Sequence, residues 1–167
     1  MPKDLRGQYV SSIEEMRDAK DKVFYVGRLN RRYLQGYASL RRGRCDVVLT
    51  SHRYNHYRRR HPEMDGYDHL LPSIVQDPDA VSISRYGRAK RVVYSQKYDA
   101  TRWLSVVVEL RERGRRHEVI TFHFEKEGNI NSRERRGLVL WRREKPKAEE
   151  ETKQKDHQAG PPPPHLS

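Results

Sequence analysis

Four runs dominate the second half of the chain: "AVSISRY", "RVVYSQKY", "WLSVVVEL" and "HEVITFHF". Valine, isoleucine, tyrosine and phenylalanine fill them, and turn-like breaks separate them. They read as short strands of an antiparallel meander. The third and fourth are joined by "RERGRR", a glycine-containing hairpin loop of suitable length. A last run, "GLVLWRR", adds a candidate edge strand. Helical segments precede this meander. The order therefore predicts an α+β fold, with N-terminal helices packed on one face of a twisted, mainly antiparallel sheet of four to five strands.

The upstream segments vary in clarity. "SSIEEMRDAKDKV" opens with Ser11 or Ser12 ahead of Glu14 and Glu15, a capping signature that predicts a short helix. "VFYVGRLNRRYLQGYASLRRGR" fits a helix or irregular structure equally well. After the apolar run "DVVLT", Ser51 is a candidate N-cap and Pro62 a stop, which frames a helix over "SHRYNHYRRRHP". A second helix is expected over "HLLPSIVQDP", ending at Asp77-Pro78.

Charge narrows the function classes. The 167 residues carry a formal net charge of +12, an excess that favours a polyanionic partner. No stretch approaches the roughly 20 apolar residues of a membrane span. The opening "MPKDLRGQYV" lacks the apolar run of a signal peptide. A cytoplasmic protein with no membrane partner is the expectation. A single cysteine, Cys45, excludes an internal disulfide and a cysteine-based zinc cluster. Three regions are expected: a helical or irregular segment over 1–45, an α+β core over 46–143, and a disordered, proline-rich charged tail over 144–167. In the tail, apolar residues are too few to offset ordering entropy.

One strand has an unusual polar face. In "HEVITFHF", strict alternation puts Glu118, Ile120, Phe122 and Phe124 toward the core and His117, Val119, Thr121 and His123 toward solvent or a groove. Thr121 and His123 then lie about 7 Å apart along that face, where a hydroxyl beside an imidazole can bind phosphate and move a proton. They are also ordinary residues for an exposed strand. On the preceding "RVVYSQKY", Arg91, Val93, Ser95 and Lys97 share a face. Whether that basic face joins Thr121 depends on register.

The second unusual element is "HYRRRHP", His56 to Pro62. His52 and His56 share a helix face at i, i+4, a spacing that suits a metal pair. A zinc-protease pattern needs glutamate after the first histidine, and Arg53 stands there. Arg58, Arg59 and Arg60 also oppose a divalent cation, so no metal is expected. Pro62 pushes His61 out of the helical region to the helix C-terminus, where the carbonyl ends favour a cation. Histidine and arginine there can protonate a leaving oxygen and clamp a phosphate. They can equally cap and solvate a helix end.

Together these elements resemble the phage-type nucleases of the barnase–EndoU–colicin–RelE (PBECR-like) superfamily. His56, Arg60, His61 and Pro62 fall on that family's His-apolar-x-x-Arg-His-Pro element, with Tyr57 at the apolar position. Pro78, Asp79 and Val81 fall on its Pro-Asp-x-Val step, and Thr121 and Phe122 on its late strand. The resemblance implies a barnase/RelE-like helix-then-sheet nuclease core. It implies RNA cleavage without cofactor or metal, by attack of the 2′-hydroxyl on the adjacent phosphate. His123 stands where the family often has an aromatic residue.

The combined expectation is a metal-independent endoribonuclease, a toxin or phage effector, with catalytic residues His56, Arg60, His61, Thr121 and His123. Arg58, Arg59, Arg91, Lys97 and Tyr57 are the expected RNA contacts. RNA is the expected partner, and an antitoxin or immunity protein is a candidate second one. The competing expectation is a basic RNA-binding module of the same fold without catalysis. A metal enzyme built on His52 and His56 is the third reading.

Overall fold

The computed structural model describes residues 8–40, 45–112 and 116–144. Its strands are β1 (Tyr9–Val10), β2 (Val23–Arg28), β3 (Asp46–Thr50), β4 (Ala80–Ser84), β5 (Arg91–Lys97), β6 (Arg102–Glu109), β7 (His117–Lys126) and β8 (Val139–Arg142). Its α-helices are α1 (Ser51–Arg60), α2 (Leu71–Gln76) and α3 (Glu127–Arg135). Among the described residues the strands form one mixed sheet in the order β1-β2-β3-β7-β6-β5-β4-β8.

This corrects the expected fold in three respects. The sheet has eight strands, not four or five. It is mixed: β1 pairs parallel with β2, and β3 parallel with β7. The helices are not confined to one face. α1 and α2 bury Tyr54, Tyr57, Leu71, Ile74 and Val75 in the main core, with Val92, Tyr94, Leu104 and Val106 of the sheet. α3 lies on the opposite face, where Ile130 packs with Ala80 and Trp103.

The N-terminal region accounts for the extra strands. "VFYVGR" is β2, antiparallel to β3, and a register shift between Tyr25 and Gly27 breaks its alternation. That break gives the run no clean period of two or of 3.6, which is why the sequence pattern leaves it open. Gly27 has φ +148, and a Cβ there would lie 2.0 Å from the Gln76 side chain, so glycine lets α2 pack directly on β2. The helix expected near Ser11 is only a 3-10 turn, Ile13–Met16. Ile13, Met16, Val26, Leu29, Tyr33 and Leu34 join the same core as Tyr57 and Phe122.

The meander itself forms as expected. β4, β5, β6 and β7 pair consecutively and antiparallel. β8 is the expected edge strand and pairs with β4. Of the "RERGRR" loop, residues 113–115 lie outside the described residues, as does the expected tail beyond Glu144. No helix of the described residues is long and apolar enough to cross a membrane.

Candidate functional site

β7 carries a bulge that decides which side chains face the site. Val107 of β6 pairs with Thr121 and Val108 with Val119, which leaves Ile120 without an opposite number. Strict alternation therefore fails at Ile120. Val119 is fully buried in the main core together with Phe122. His117 is buried as well, and its Nδ1 accepts from the backbone N–H of Arg111 at 3.0 Å. Ile120 turns to the other face, beside Thr121 and His123. The expected pairing of Thr121 with His123 on one open face survives the bulge, whereas the placements of His117, Val119 and Ile120 do not.

That face is continuous with the basic face of β5. Thr121 sits opposite Val107, which sits opposite Val93. In the next row His123 sits opposite Ser105, and Ser105 opposite Ser95. The two serine hydroxyls bond each other at 2.8 Å. A cavity of about 350 Å³ opens over this face, lined by residues that include Arg85, Tyr86, Arg91, Thr121, His123, Glu125, Arg133 and Arg136. Arg91 is held by two hydrogen bonds to Glu109. Among the described residues Arg85 and Arg136 make no ion pair, so their charge is available to a ligand.

α1 brings the second half of the site to the edge of β7. The β3–β7 ladder runs only from Val47–His117 to Val48–Glu118. Beyond it the chain leaves β3 into α1, whose side chains pack along the later part of β7, Tyr57 against Phe122 at 6.1 Å. Thr50 caps the helix by accepting from the Arg53 N–H, and Ser51, the expected cap, instead accepts from the Lys22 N–H. His61 is the C-cap, with φ −129 and ψ 66, the non-helical conformation imposed by Pro62. Its ring stacks on His123, centroids 5.3 Å apart and planes at 26°.

Each of these imidazoles has one nitrogen on a carboxylate. His61 Nδ1 lies 3.2 Å from Glu63 Oε1, and His123 Nε2 lies 3.1 Å from Glu125 Oε1. His123 Nδ1 is buried with no hydrogen-bond partner among the described residues. Glu125 is itself buried and bonded by Arg133 through both carboxylate oxygens, one at 2.8 Å. Burial pushes its carboxyl up, but the His123 and Arg133 hydrogen bonds and charges outweigh that and hold it down at about 2. A carboxylate that orients an imidazole in this way selects its tautomer.

The remaining expected residues divide sharply. Tyr57 is fully buried, and its hydroxyl donates to Asp68 Oδ1 at 2.7 Å, so it is a core anchor and has no face to offer a base. Arg58 binds the Tyr54 hydroxyl at 2.8 Å and the carboxylates of Asp65 and Asp68, which absorbs its charge within the fold. Burial raises the Asp68 carboxyl, against the bonds from Tyr57, Arg58 and Tyr54 that lower it. His56 stacks on His52 at 6.4 Å and does not line the Thr121 cavity. Desolvation and then Arg60, Arg59, Arg53 and His52 lower its affinity for a proton. Arg59 and Arg60 are exposed on α1, and neither lines the Thr121 cavity. Lys97 is exposed, 3.9 Å from Glu127. Among the described residues no group of three or more His, Cys, Asp or Glu is arranged to hold a metal.

Glu125, Arg133, Arg85 and Arg136 do not stand out in the sequence. Glu125 has a readable signal, since it follows His123 by two residues on the same face. Arg133 has none, because α3 carries Gly128, Asn129 and Asn131 and buries only Ile130. Comparison with family models, with curated proteins and with solved structures finds no match.

Proposed function

We propose that this chain is a metal-independent endoribonuclease, with the active-site elements of the phage-type nucleases that its sequence resembles. The observation that carries the reading is the stacking of His61 on His123 beside the Thr121 cavity. The two motifs singled out by the resemblance meet there. Support comes from the residues and not from the overall layout, since the eight-stranded mixed sheet differs from the expected core.

In-line cleavage needs a base for the 2′-hydroxyl, an acid for the 5′-oxygen, and donors for the phosphorane oxygens. Two imidazoles 5.3 Å apart can serve one phosphate, each within a hydrogen bond of about 2.6–3.2 Å. His123 gives its Nε2–H to Glu125 and keeps a lone pair at Nδ1, buried in the free protein, which takes the 2′-hydroxyl proton once substrate entry exposes it. The 2′-oxygen then bonds to phosphorus, and the bond from phosphorus to the 5′-oxygen breaks. His61, its Nδ1 held by Glu63, delivers a proton to that leaving oxygen. The products are a 2′,3′-cyclic phosphate and a 5′-hydroxyl. Thr121, Arg85 and Arg136 stabilise the equatorial oxygens, and Tyr86, 84% exposed at the rim, stacks on an unpaired base. In this assignment His123, and not His56, is the base.

The test is cleavage of end-labelled RNA in excess chelator, with identification of the new ends. Cyclic phosphate ends, lost in His61→Ala while RNA binding persists, support the reading. Protein that binds RNA but leaves it uncut between about pH 5 and 9, a range bracketing histidine titration, is instead the RNA-binding module. Cleavage that stops on chelation points instead to a metal held by His52 and His56.

A further inference from the structure

A second cavity, of about 560 Å³, lies between α1, the loop that enters β2, and the residue before β7. Lys20, Lys22, Arg59 and Arg116 line it, from three separate parts of the chain. Among the described residues none of the four makes an ion pair. Asp18 and Asp21 also line it, which leaves the cations in excess. Three neutral polar side chains in the wall, Thr50, Ser51 and Asn55, are already committed. Thr50 accepts from Arg53, and Ser51 accepts from Lys22. Asn55 accepts from Asp18 and donates to the carbonyls of Met16 and Ala19. The capacity left for a ligand is the four cations, with Gln8 and His52 beside them.

The cavity is also placed along a path. His52, Asn55 and Arg59 line it from α1, and His61 caps the same helix. The helix has ten residues, a length of ~15 Å at 1.5 Å per residue. A chain of phosphates leaving the His61–His123 pair along α1 meets Arg59 first and the two lysines after it.

We propose that this cavity is a phosphodiester-binding subsite for the RNA strand, separate from the point of cleavage and reached along α1. The proposal rests on the ribonuclease reading for its direction, and on the unpaired cations for its chemistry. It assigns to Arg59 a role in holding substrate and to Lys20, Lys22 and Arg116 the other phosphate interactions. The strand is single, since an unpaired chain can follow a helix surface with its phosphates inward.

The experiment uses the full chain and two double variants, Lys20→Ala/Arg59→Ala and Lys22→Ala/Arg116→Ala, with thermal midpoints checked against the parent. Binding of a fluorescent 2′-O-methyl RNA of about ten nucleotides, typical of single-strand grooves, is measured by anisotropy across a salt series. That probe lacks the attacking hydroxyl and stays intact. Each double variant is expected to bind roughly ten-fold more weakly. The slope of log affinity against log salt should become shallower by about 0.7 for each phosphate that the variant no longer neutralises. Cleavage of a dinucleoside monophosphate, too short to reach the cavity, should be unchanged in Lys22→Ala/Arg116→Ala. Unchanged oligomer affinity and slope in both variants overturn the subsite, as does a parent protein that fails to bind the oligomer. A parent that binds the oligomer through these residues but cleaves neither substrate overturns the ribonuclease reading and leaves the subsite standing.

Discussion

Glu125 lies between His123 and Arg133, accepting from both, on the sheet face opposite the main core. One buried carboxylate thus ties β7 to α3 and orients the imidazole that stacks on His61. Its carboxyl is held at about 2, against an ordinary value of 4.5. A depressed carboxylate contributes stability that is fully present above the unfolded-state value and is lost as pH falls through the folded one. The contribution is on the order of 3 kcal/mol, lost mostly between about pH 5 and pH 2. Urea unfolding across that range should show the loss in the parent and a much flatter profile in Glu125→Gln. The variant should also be less stable at neutral pH by about 3 kcal/mol, because the half-buried Arg133 then keeps its charge without a partner. Parallel profiles for the two proteins would refute the coupling.

The stacked pair makes a kinetic prediction. His61→Ala and His123→Ala should each slow RNA cleavage by roughly 10²- to 10⁴-fold, the usual worth of a positioned acid or base. Affinity for an uncleavable 2′-O-methyl RNA should change by less than about three-fold. The double variant should be little slower than either single one, since groups that act as a unit do not add. His56→Ala, at a residue that stacks on His52 and does not line the Thr121 cavity, should retain most activity. A His56→Ala protein as inactive as His61→Ala would restore His56 to the catalytic set.

Tyr57 belongs to stability and not to RNA recognition. Tyr57→Phe deletes the hydroxyl that donates to Asp68 at 2.7 Å and leaves a buried carboxylate short of a donor, at a cost of about 1–3 kcal/mol. Tyr57→Ala opens a cavity between α1 and Phe122 and should cost about 3–5 kcal/mol. Chemical denaturation measures both. RNA affinity of the folded Tyr57→Phe protein should match the parent, and a marked drop would contradict the buried placement.

His56 should titrate below the ordinary histidine midpoint of 6.5, because desolvation and the cations of Arg60, Arg59 and Arg53 disfavour its charged form. It is therefore mostly neutral at neutral pH. Proton NMR of the ring should show the midpoint rising in Arg60→Ala and in Arg59→Ala. Binding of an RNA phosphate along α1 should raise it too, because an anion favours imidazolium. A midpoint that ignores both arginines would remove the electrostatic account.

Much of this protein could be read before folding was considered. The β4–β7 meander, the edge strand β8, the helix stop at Pro62 and the shared face of Thr121 and His123 all follow from local rules. Periodicity, proline stereochemistry and side-chain alternation act over a few residues, so a short window contains them. Glu125 was within the same reach, two positions beyond His123 on one strand face.

Other features needed the third dimension. β2 shows no clean period because of its irregularity at Tyr25 and Gly27, and only pairing with β3 makes it a strand. α3 has weak helix formers and a single buried residue, so packing of Ile130 on Ala80 and Trp103, with Arg133 on Glu125, holds it in place. The Ile120 bulge is a property of the β6–β7 ladder and exchanges faces that alternation alone had assigned. Whether a basic residue is paired within its own fold or left unpaired was decided last. Arg58 found Asp65 and Asp68, whereas Arg85, Arg136 and Arg59 found no carboxylate among the described residues. The sequence alone supplies the chemical groups. Tertiary structure decided which of those groups meet, because contacts between α1 and β7 join segments whose separation along the chain no local pattern can span.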